Sequence, residues 1–133
     1  MSTISNIGVS GMRAAAARLQ AAASNVANMQ TNGRVPTGGA PQPGDVYQPV
    51  DVVQVDQKGG GVATSYVSRQ GAYSMVSDPN SPFADTNGMV AAPEIDLATE
   101  MVNVIIAKYQ FAASTKIVEA DSQMQKATLD TLA

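Results

Sequence analysis

Cysteine, histidine and tryptophan are absent from this 133-residue chain, and phenylalanine occurs only twice. Without cysteine there is no disulfide framework, no thiolate metal site and no thiol nucleophile. With histidine missing too, only carboxylates, lysines, tyrosines and hydroxyls remain for any chemistry. No metal and no other cofactor is expected, and an enzyme is not. The shortage of aromatics, at 5%, bears on stability. Apolar residues reach 44%, but much of that is alanine, valine and methionine. Buried apolar area contributes roughly 25 cal/mol per Å², so small side chains build a thin core. The length suggests one domain. Such a chain is expected to be weakly stable alone and to complete its burial against partner surfaces.

Charge of one sign is also scarce. The net charge is −3, with +2 on residues 1–33, −2 on 34–93 and −3 on 94–133. No basic patch supports nucleic-acid binding. The opposite signs of the two ends mildly favour their pairing. Long hydrophobic runs are missing as well. The best, MVNVIIA at 101–107, contains Asn103 and falls far short of the roughly 18 residues of a membrane span, so no membrane insertion is expected. The N-terminus lacks an early basic region, and Arg13, Arg18 and Gln20 interrupt its apolar part, unlike a secretory signal. Export would need a route that does not cleave this segment.

What is present falls into three pieces, at 1–33, 34–93 and 94–133. In the first, Met12, Ala15, Leu19, Ala22, Val26 and Met29 follow a 3-4-3-4-3 spacing, a heptad repeat on an alanine-rich helix. Gly8 and Gly11 weaken its start, so clean helix is predicted from about residue 11. It ends near TNGRVP, where Asn32 and Gly33 suit a C-terminus and Pro36 blocks continuation. The middle piece holds all seven prolines. VPTGGAPQPGD at 35–45 reads as a flexible loop. VYQPVDVVQV at 46–55 and GGGVATSYVS at 59–68 read as two strands of a small hairpin with an exposed edge. SDPNSPFADTNG at 77–88 reads as a turn-rich extended stretch leading through MVAAP into the last helix.

In that helix, Pro93 and Glu94 suit the N-terminus, and Asp96 and Glu100 complement its dipole. Two apolar stripes run along it. One passes through Val102, Ile106, Tyr109, Ala113, Ile117, Ala120, Met124 and Ala127. The other passes through Met101, Val104, Phe111, Val118, Leu129 and Leu132. A partner in a two-helix hairpin needs one stripe, so two imply neighbours on two sides. About 36 residues of helix span roughly 55 Å and the first helix roughly 30 Å, so the longer one carries surface its partner does not cover. The predicted class is mainly α with a small β part. The terminal helices pair as a coiled coil, with a short hairpin and loop region between them.

Other motifs weigh less. Arg18, Ala21, Asn25, Asn28 and Asn32 form a polar line beside the first heptad. It reads either as a solvated edge or as amides facing a neighbouring chain, where a buried amide is tolerable in only one register. The Gly59–Gly61 run lacks the Gly-Lys-Ser/Thr of a phosphate loop and reads as a hairpin tip. Asp85, Asn87 and Gly88 echo a calcium loop but lack its other ligands, so Asn87-Gly88 reads as a tight turn. Glu94, Asp96 and Glu100 could look like a paired-carboxylate site, and helix capping explains them better.

The order of pieces resembles the axial rod and hook proteins of the bacterial flagellum. SGMRAAAARLQAAASNVAN at 10–28 is similar to that family's N-terminal signature, and Thr31-Asn32-Gly33 to the Thr-x-Gly that follows it. Arg34 stands where the family usually has tyrosine. The segment 80–114, with Pro82, Ala84-Asp85, Gly88, Pro93, Glu100-Met101-Val102-Asn103 and Tyr109, resembles the smaller rod members. Met89, where tyrosine is usual, departs from their pattern, as does the Lys108–Phe111 stretch.

The resemblance implies a structural subunit of the periplasmic proximal rod. Such a subunit leaves the cell uncleaved through the flagellar type III export apparatus. It polymerises helically with copies of itself and other rod proteins, lines the export channel and transmits torque. Residues 1–33 would be the export and assembly helix and 94–133 the second axial helix. Intersubunit contacts are expected at Met12, Leu19, Asn25, Val26, Asn28 and Met29, and at Glu100, Met101, Val102, Asn103, Ile106, Tyr109, Ala113, Ile117 and Met124. The rival reading is a cytosolic helical-hairpin adaptor of chaperone-like type, which a rigid, cooperatively folded monomer would favour.

Overall fold

The computed structural model describes residues 2–38 and 42–132, so residues 39–41 of the expected loop lie outside it. Two long helices bracket four short strands. The elements are α1 (Thr3–Asn28), β1 (Val50–Asp56), β2 (Val62–Ser68), β3 (Tyr73–Ser77), β4 (Met89–Pro93) and α2 (Leu97–Leu132).

Helix α1 begins well before residue 11. Ser2 caps it, its hydroxyl accepting the Ser5 N–H at 3.0 Å. The two glycines cost helix propensity, roughly 1 kcal/mol each against alanine. Tertiary contact offsets that cost. A Cβ at Gly8 would lie 2.6 Å from Val118 Cγ2 and 3.3 Å from the Ser114 carbonyl oxygen. Glycine is therefore what lets α2 come this close.

The helices run antiparallel. Ser2 and Ser5 meet Asp121, Met12 meets Thr115, Arg18 meets Gln110, and Asn25 meets Glu100. Helix α2 has 36 residues against 26 in α1. Residues 122–132 therefore stand past the start of α1 by about 16 Å, and all of them are exposed.

Helix α2 starts at Leu97, not at Pro93–Glu94. Asp96 is its cap, accepting the N–H groups of Ala98 (3.1 Å) and Thr99 (3.2 Å). Pro93 instead ends β4, opposite Tyr73, where a strand terminus tolerates the missing N–H.

β1 and β2 form the expected antiparallel hairpin, from Val50↔Ser68 to Asp56↔Val62. A second hairpin, β3–β4, was not anticipated. It pairs Tyr73↔Pro93 through Ser77↔Met89 across the long connection 78–88, so MVAAP is a strand. Tertiary pairing decides this segment. Val90 and Ala91 are fully buried, and Ala91 exchanges both backbone hydrogen bonds with Gly33 at 2.9 Å. Asn87-Gly88 does form the tight turn, with Gly88 at φ +74° and Asp85 accepting the Asn87 and Met89 N–H groups.

Seven of the nine buried hydrophobic residues described are alanines; the others are Val46 and Val90. The core is correspondingly thin. Gly33 is crowded by backbone: a Cβ there would lie 2.5 Å from the Val46 nitrogen and 2.6 Å from the Asp45 carbonyl carbon. Gly33→Ala is expected to lower the unfolding free energy by about 1–3 kcal/mol. Gly11→Ala, facing the rotatable Ser114 hydroxyl, is expected to be neutral or stabilising. Denaturant unfolding of the two variants against the parent checks both signs.

Candidate functional site

Three polar residues of this hairpin, Asn25, Glu100 and Asp121, lie inside among alanines, while many of its large apolar residues lie outside. Glu100, Ala107, Ser114 and Asp121 fall at seven-residue intervals on α2; Glu100, Ala107 and Asp121 are its buried residues and Ser114 is half-buried. Gly8, Ala15 and Ala22 do the same on α1. These small or polar heptads form the seam between the helices.

At one end of the seam Glu100, 2% exposed, collects donors from three elements. Asn25 Nδ2 donates to its Oε1 at 2.8 Å, and the Arg69 guanidinium to the same oxygen at 3.1 Å. Asn103 Nδ2 reaches Oε2 at 3.3 Å. Asn25, 1% exposed, uses its amide fully. Nδ2 also donates to the Val50 carbonyl (3.0 Å), while Oδ1 accepts the Val50 N–H (2.8 Å) and lies 3.0 Å from the Tyr47 hydroxyl. Arg69, just beyond β2, forks onto both Asp51 oxygens at 2.8 Å. Asp51 first, and then Glu100, raise the Arg69 pKa above its ordinary value. One amide and one guanidinium thereby tie α1, the first hairpin and α2 together.

At the other end Asp121, 3% exposed, accepts the Ser2 and Ser5 hydroxyls and the Gln125 amide. The hydroxyls, Ser2 first, hold its carboxyl below the usual carboxylate range.

Asn25 and Glu100, expected at a subunit interface, therefore have their partners in their own chain. A sealed amide and carboxylate need every donor and acceptor matched, and the nearest matches lie on β1 and the facing helix. Asn28 folds back instead, donating to the Ser24 carbonyl at 2.9 Å. Asn103 is half-buried on Glu100. Met12, Val26 and Met29 are half-buried, and Leu19 is 46% exposed. Of the expected heptad on α1, only Ala15 and Ala22 are deep in the seam. The true pattern pairs the Gly8 line with Gly11, Arg18 and Asn25, so the polar line is closer to the seam than the Leu19 line.

On α2 the stripe through Val104, Phe111 and Val118 borders the seam. Met101, Val102, Ile106, Tyr109, Ala113, Ile117 and Met124 are all exposed, Tyr109 by 70%. Sequence reading missed Arg69, the tie to the hairpin. It also missed the heptad of Glu100, Ala107, Ser114 and Asp121, although its strict spacing was a usable signal. Among the described residues no cluster of acids could hold a metal ion, and no helix is long and apolar enough to cross a membrane.

Residues 86–131 match the family model described as flagellar basal body rod FlgEFG protein C-terminal. Nearly the whole chain is similar to flagellar basal-body rod proteins FlgC. It is 32% identical over 126 residues to that of Salmonella typhimurium, covering 95% of this chain and 93% of the relative. It is 33% identical over 129 residues to that of Yersinia enterocolitica, with the same coverage. With that of Agrobacterium fabrum it shares 29% identity over 139 residues, covering 99% and 95%.

Two outcomes follow from the seam. Asn25→Ala strands the Val50 backbone groups and removes a donor from buried Glu100. It should cost about 2–3 kcal/mol in denaturant unfolding, against under about 1 kcal/mol for Asn28→Ala. Asp121 titrates lower when folded than unfolded, so its contribution is present above about pH 4 and is lost as pH falls through its folded value. Amide exchange in the first two turns of α1, corrected for intrinsic rates, should speed up in that acid window and lose this dependence in Asp121→Asn.

Proposed function

Because the chain belongs to the FlgC family of flagellar basal-body rod proteins and is a structural rod subunit, we propose that it polymerises helically with copies of itself and with other rod proteins. In this reading the chain reaches the periplasm through the flagellar type III export apparatus. The terminal pieces, 1–33 and 94–133, form the inner layer around the channel, with 34–93 outside them. The polymer carries torque and involves no chemistry.

One observation carries the proposal. Helix α2 has large apolar residues on every face, while its seam with α1 takes glutamate, alanine, serine and aspartate. Large apolar residues on faces that the partner helix does not cover call for further neighbours there. A lone hairpin leaves Met101, Val102, Ile105, Ile106, Tyr109, Phe111 and Ile117 each at least 43% exposed. Scattered apolar residues on a surface need no explanation, but a continuous face of them marks a contact. Several neighbouring subunits around each α2 supply the missing burial. The junction at Glu100 then sets the angle between helix pair and hairpin, so that every copy presents the same shape to the next.

The test is a double variant, Ile106→Asp with Tyr109→Asp. Both side chains are exposed, so the circular dichroism of the isolated chain is expected to match the parent. Export should persist, while rods fail to assemble and swimming is lost. Normal swimming by this variant would overturn the proposal.

A further inference from the structure

We propose that Asn87 is a site of slow deamidation in the folded chain, and that the bridge at Gly33 holds Asn32 back from the same reaction. The sequence Thr-Asn-Gly occurs twice, at 31–33 and at 86–88. Asparagine is among the thermolabile residues. The backbone nitrogen of the following residue loses its proton and attacks the side-chain carbonyl carbon. A new C–N bond closes a succinimide ring, and ammonia leaves. Water then opens the ring at either carbonyl, giving aspartate or isoaspartate. A glycine in the following position has no Cβ to hinder the attack. Two identical tripeptides have nearly the same intrinsic reactivity, so a large difference between them belongs to the fold.

At 31–33 the chain is held on both sides of the attacking nitrogen. The Thr31 N–H and hydroxyl both donate to the Asn28 carbonyl, at 3.0 and 2.8 Å. Gly33 is buried. Its N–H donates to the Ala91 carbonyl and its carbonyl accepts the Ala91 N–H, each at 2.9 Å. One bond holds each of the two peptide planes that meet at Gly33, and Ala91 itself is fully buried. The backbone of Asp45 and Val46 crowds the remaining side. The Gly33 nitrogen turns onto the Asn32 side chain only if the bridge opens, and that means parting β4 from the exit of α1.

At 86–88 the restraint is local. Asn87 is exposed, and so are Asp85 and Thr86. The Gly88 N–H donates to the Asp85 carbonyl at 3.0 Å, a bond inside one four-residue turn. The Gly88 carbonyl accepts the Asp78 N–H at 3.0 Å, but it belongs to the next peptide plane and does not hold the nitrogen. The Asp85 carboxylate accepts the Asn87 N–H at 2.8 Å and the Met89 N–H at 2.9 Å. Its negative charge also opposes loss of the Gly88 proton. Asn87 is therefore slower than in the unfolded chain, yet faster than Asn32. Opening free energies run from near zero at exposed loops up to that of global unfolding, and only Gly33 lies between buried elements.

The two sites differ in consequence as well as in rate. Isoaspartate adds a carbon to the main chain. At residue 32 that carbon would fall where the chain leaves α1 and meets β4, and the bridge that fixes this geometry also protects it. At residue 87 it falls in the turn that enters β4, and the new carboxylate stands beside Asp85. Like charges there weaken the hold of Asp85 on the turn and loosen the start of β4, next to the buried Val90.

The test uses the isolated chain, kept in mildly alkaline buffer and sampled over time. Trypsin puts the two sites on different peptides, 19–34 and 70–108, and fragment masses read each asparagine. Asn87 is expected to be lost at least about tenfold faster than Asn32, the ratio that 1.4 kcal/mol of extra opening free energy at Gly33 supplies. In urea the two rates should come together. Equal rates in the folded chain, or faster loss at Asn32, would overturn the proposal. So would a tenfold difference that persists in urea, since the fold would not be its cause. Chain isolated with isoaspartate at 87 should exchange its Val90 amide hydrogen several-fold faster than the parent, and unchanged exchange would remove the effect on β4. No assembled rod enters this experiment, so its failure leaves the rod-subunit reading to the Ile106 and Tyr109 variant.

Discussion

A carboxylate sealed from water must find its donors within the protein, and Glu100 finds them on three separate elements. Asn25 reaches it from α1, Arg69 from the end of β2, and Asn103 from the next turn of its own helix. Removing any donor would leave charge poorly compensated in a dry place, which is costlier than never having buried it. The arrangement is satisfied in a single register of the two helices and a single placement of the hairpin. Alanine seams do not choose a register by themselves, because one alanine fits much like the next. The polar ends choose it: Glu100 with Asn25 at one end and Asp121 with Ser2 and Ser5 at the other.

That division of labour explains where the large side chains went. Small residues in the seam let the two backbones approach, as at Gly8 against Val118 and Gly11 against Ser114. Close approach leaves no room for leucine or isoleucine between the helices. The bulk of the apolar area therefore sits on the outer surface of α2. A chain arranged this way buries little apolar surface alone, and at roughly 25 cal/mol per Å² it gains little stability from it. The same surface becomes a source of stability once neighbours cover it. Polar specification inside and apolar association outside reverse the usual arrangement of a soluble helical hairpin.

Sequence periodicity made much of this legible, and its failures are instructive. The two terminal helices, their pairing, the first hairpin and the excess of apolar stripes on α2 all follow from spacing and composition. The heptad on α1 was displaced, because Leu19 draws attention as the largest residue in an alanine run and yet faces outward. Asn25 was recognised as an unusual residue, but its partners within the chain were not foreseen. An amide's partner depends on which strand folds over it, and Val50 is 25 residues away in sequence. The second hairpin escaped notice because MVAAP lacks alternation and ends in proline. Its strand character comes from pairing with Tyr73–Ser77 and with Gly33, neither of which a local pattern contains. Arg69 was invisible for the same reason: a single arginine after a strand has no spacing to betray it.

The position of Gly33 joins these observations. It stands five residues past α1, where the chain must pass between β4 and the 45–46 backbone, and only a residue without a side chain fits. Its two hydrogen bonds to Ala91 set the second hairpin against the exit of α1, while Asn25, two turns earlier, sets the first hairpin against the same helix end. Both β elements are thus referenced to one short stretch of α1, the stretch that also holds Glu100 at the start of α2. An error in any of these contacts would propagate into the angle between the helix pair and everything outside it. In the proposed helical polymer such an angle would accumulate from copy to copy. This gives a physical reason for spending buried polar groups there and leaving the rest of the helices to small side chains.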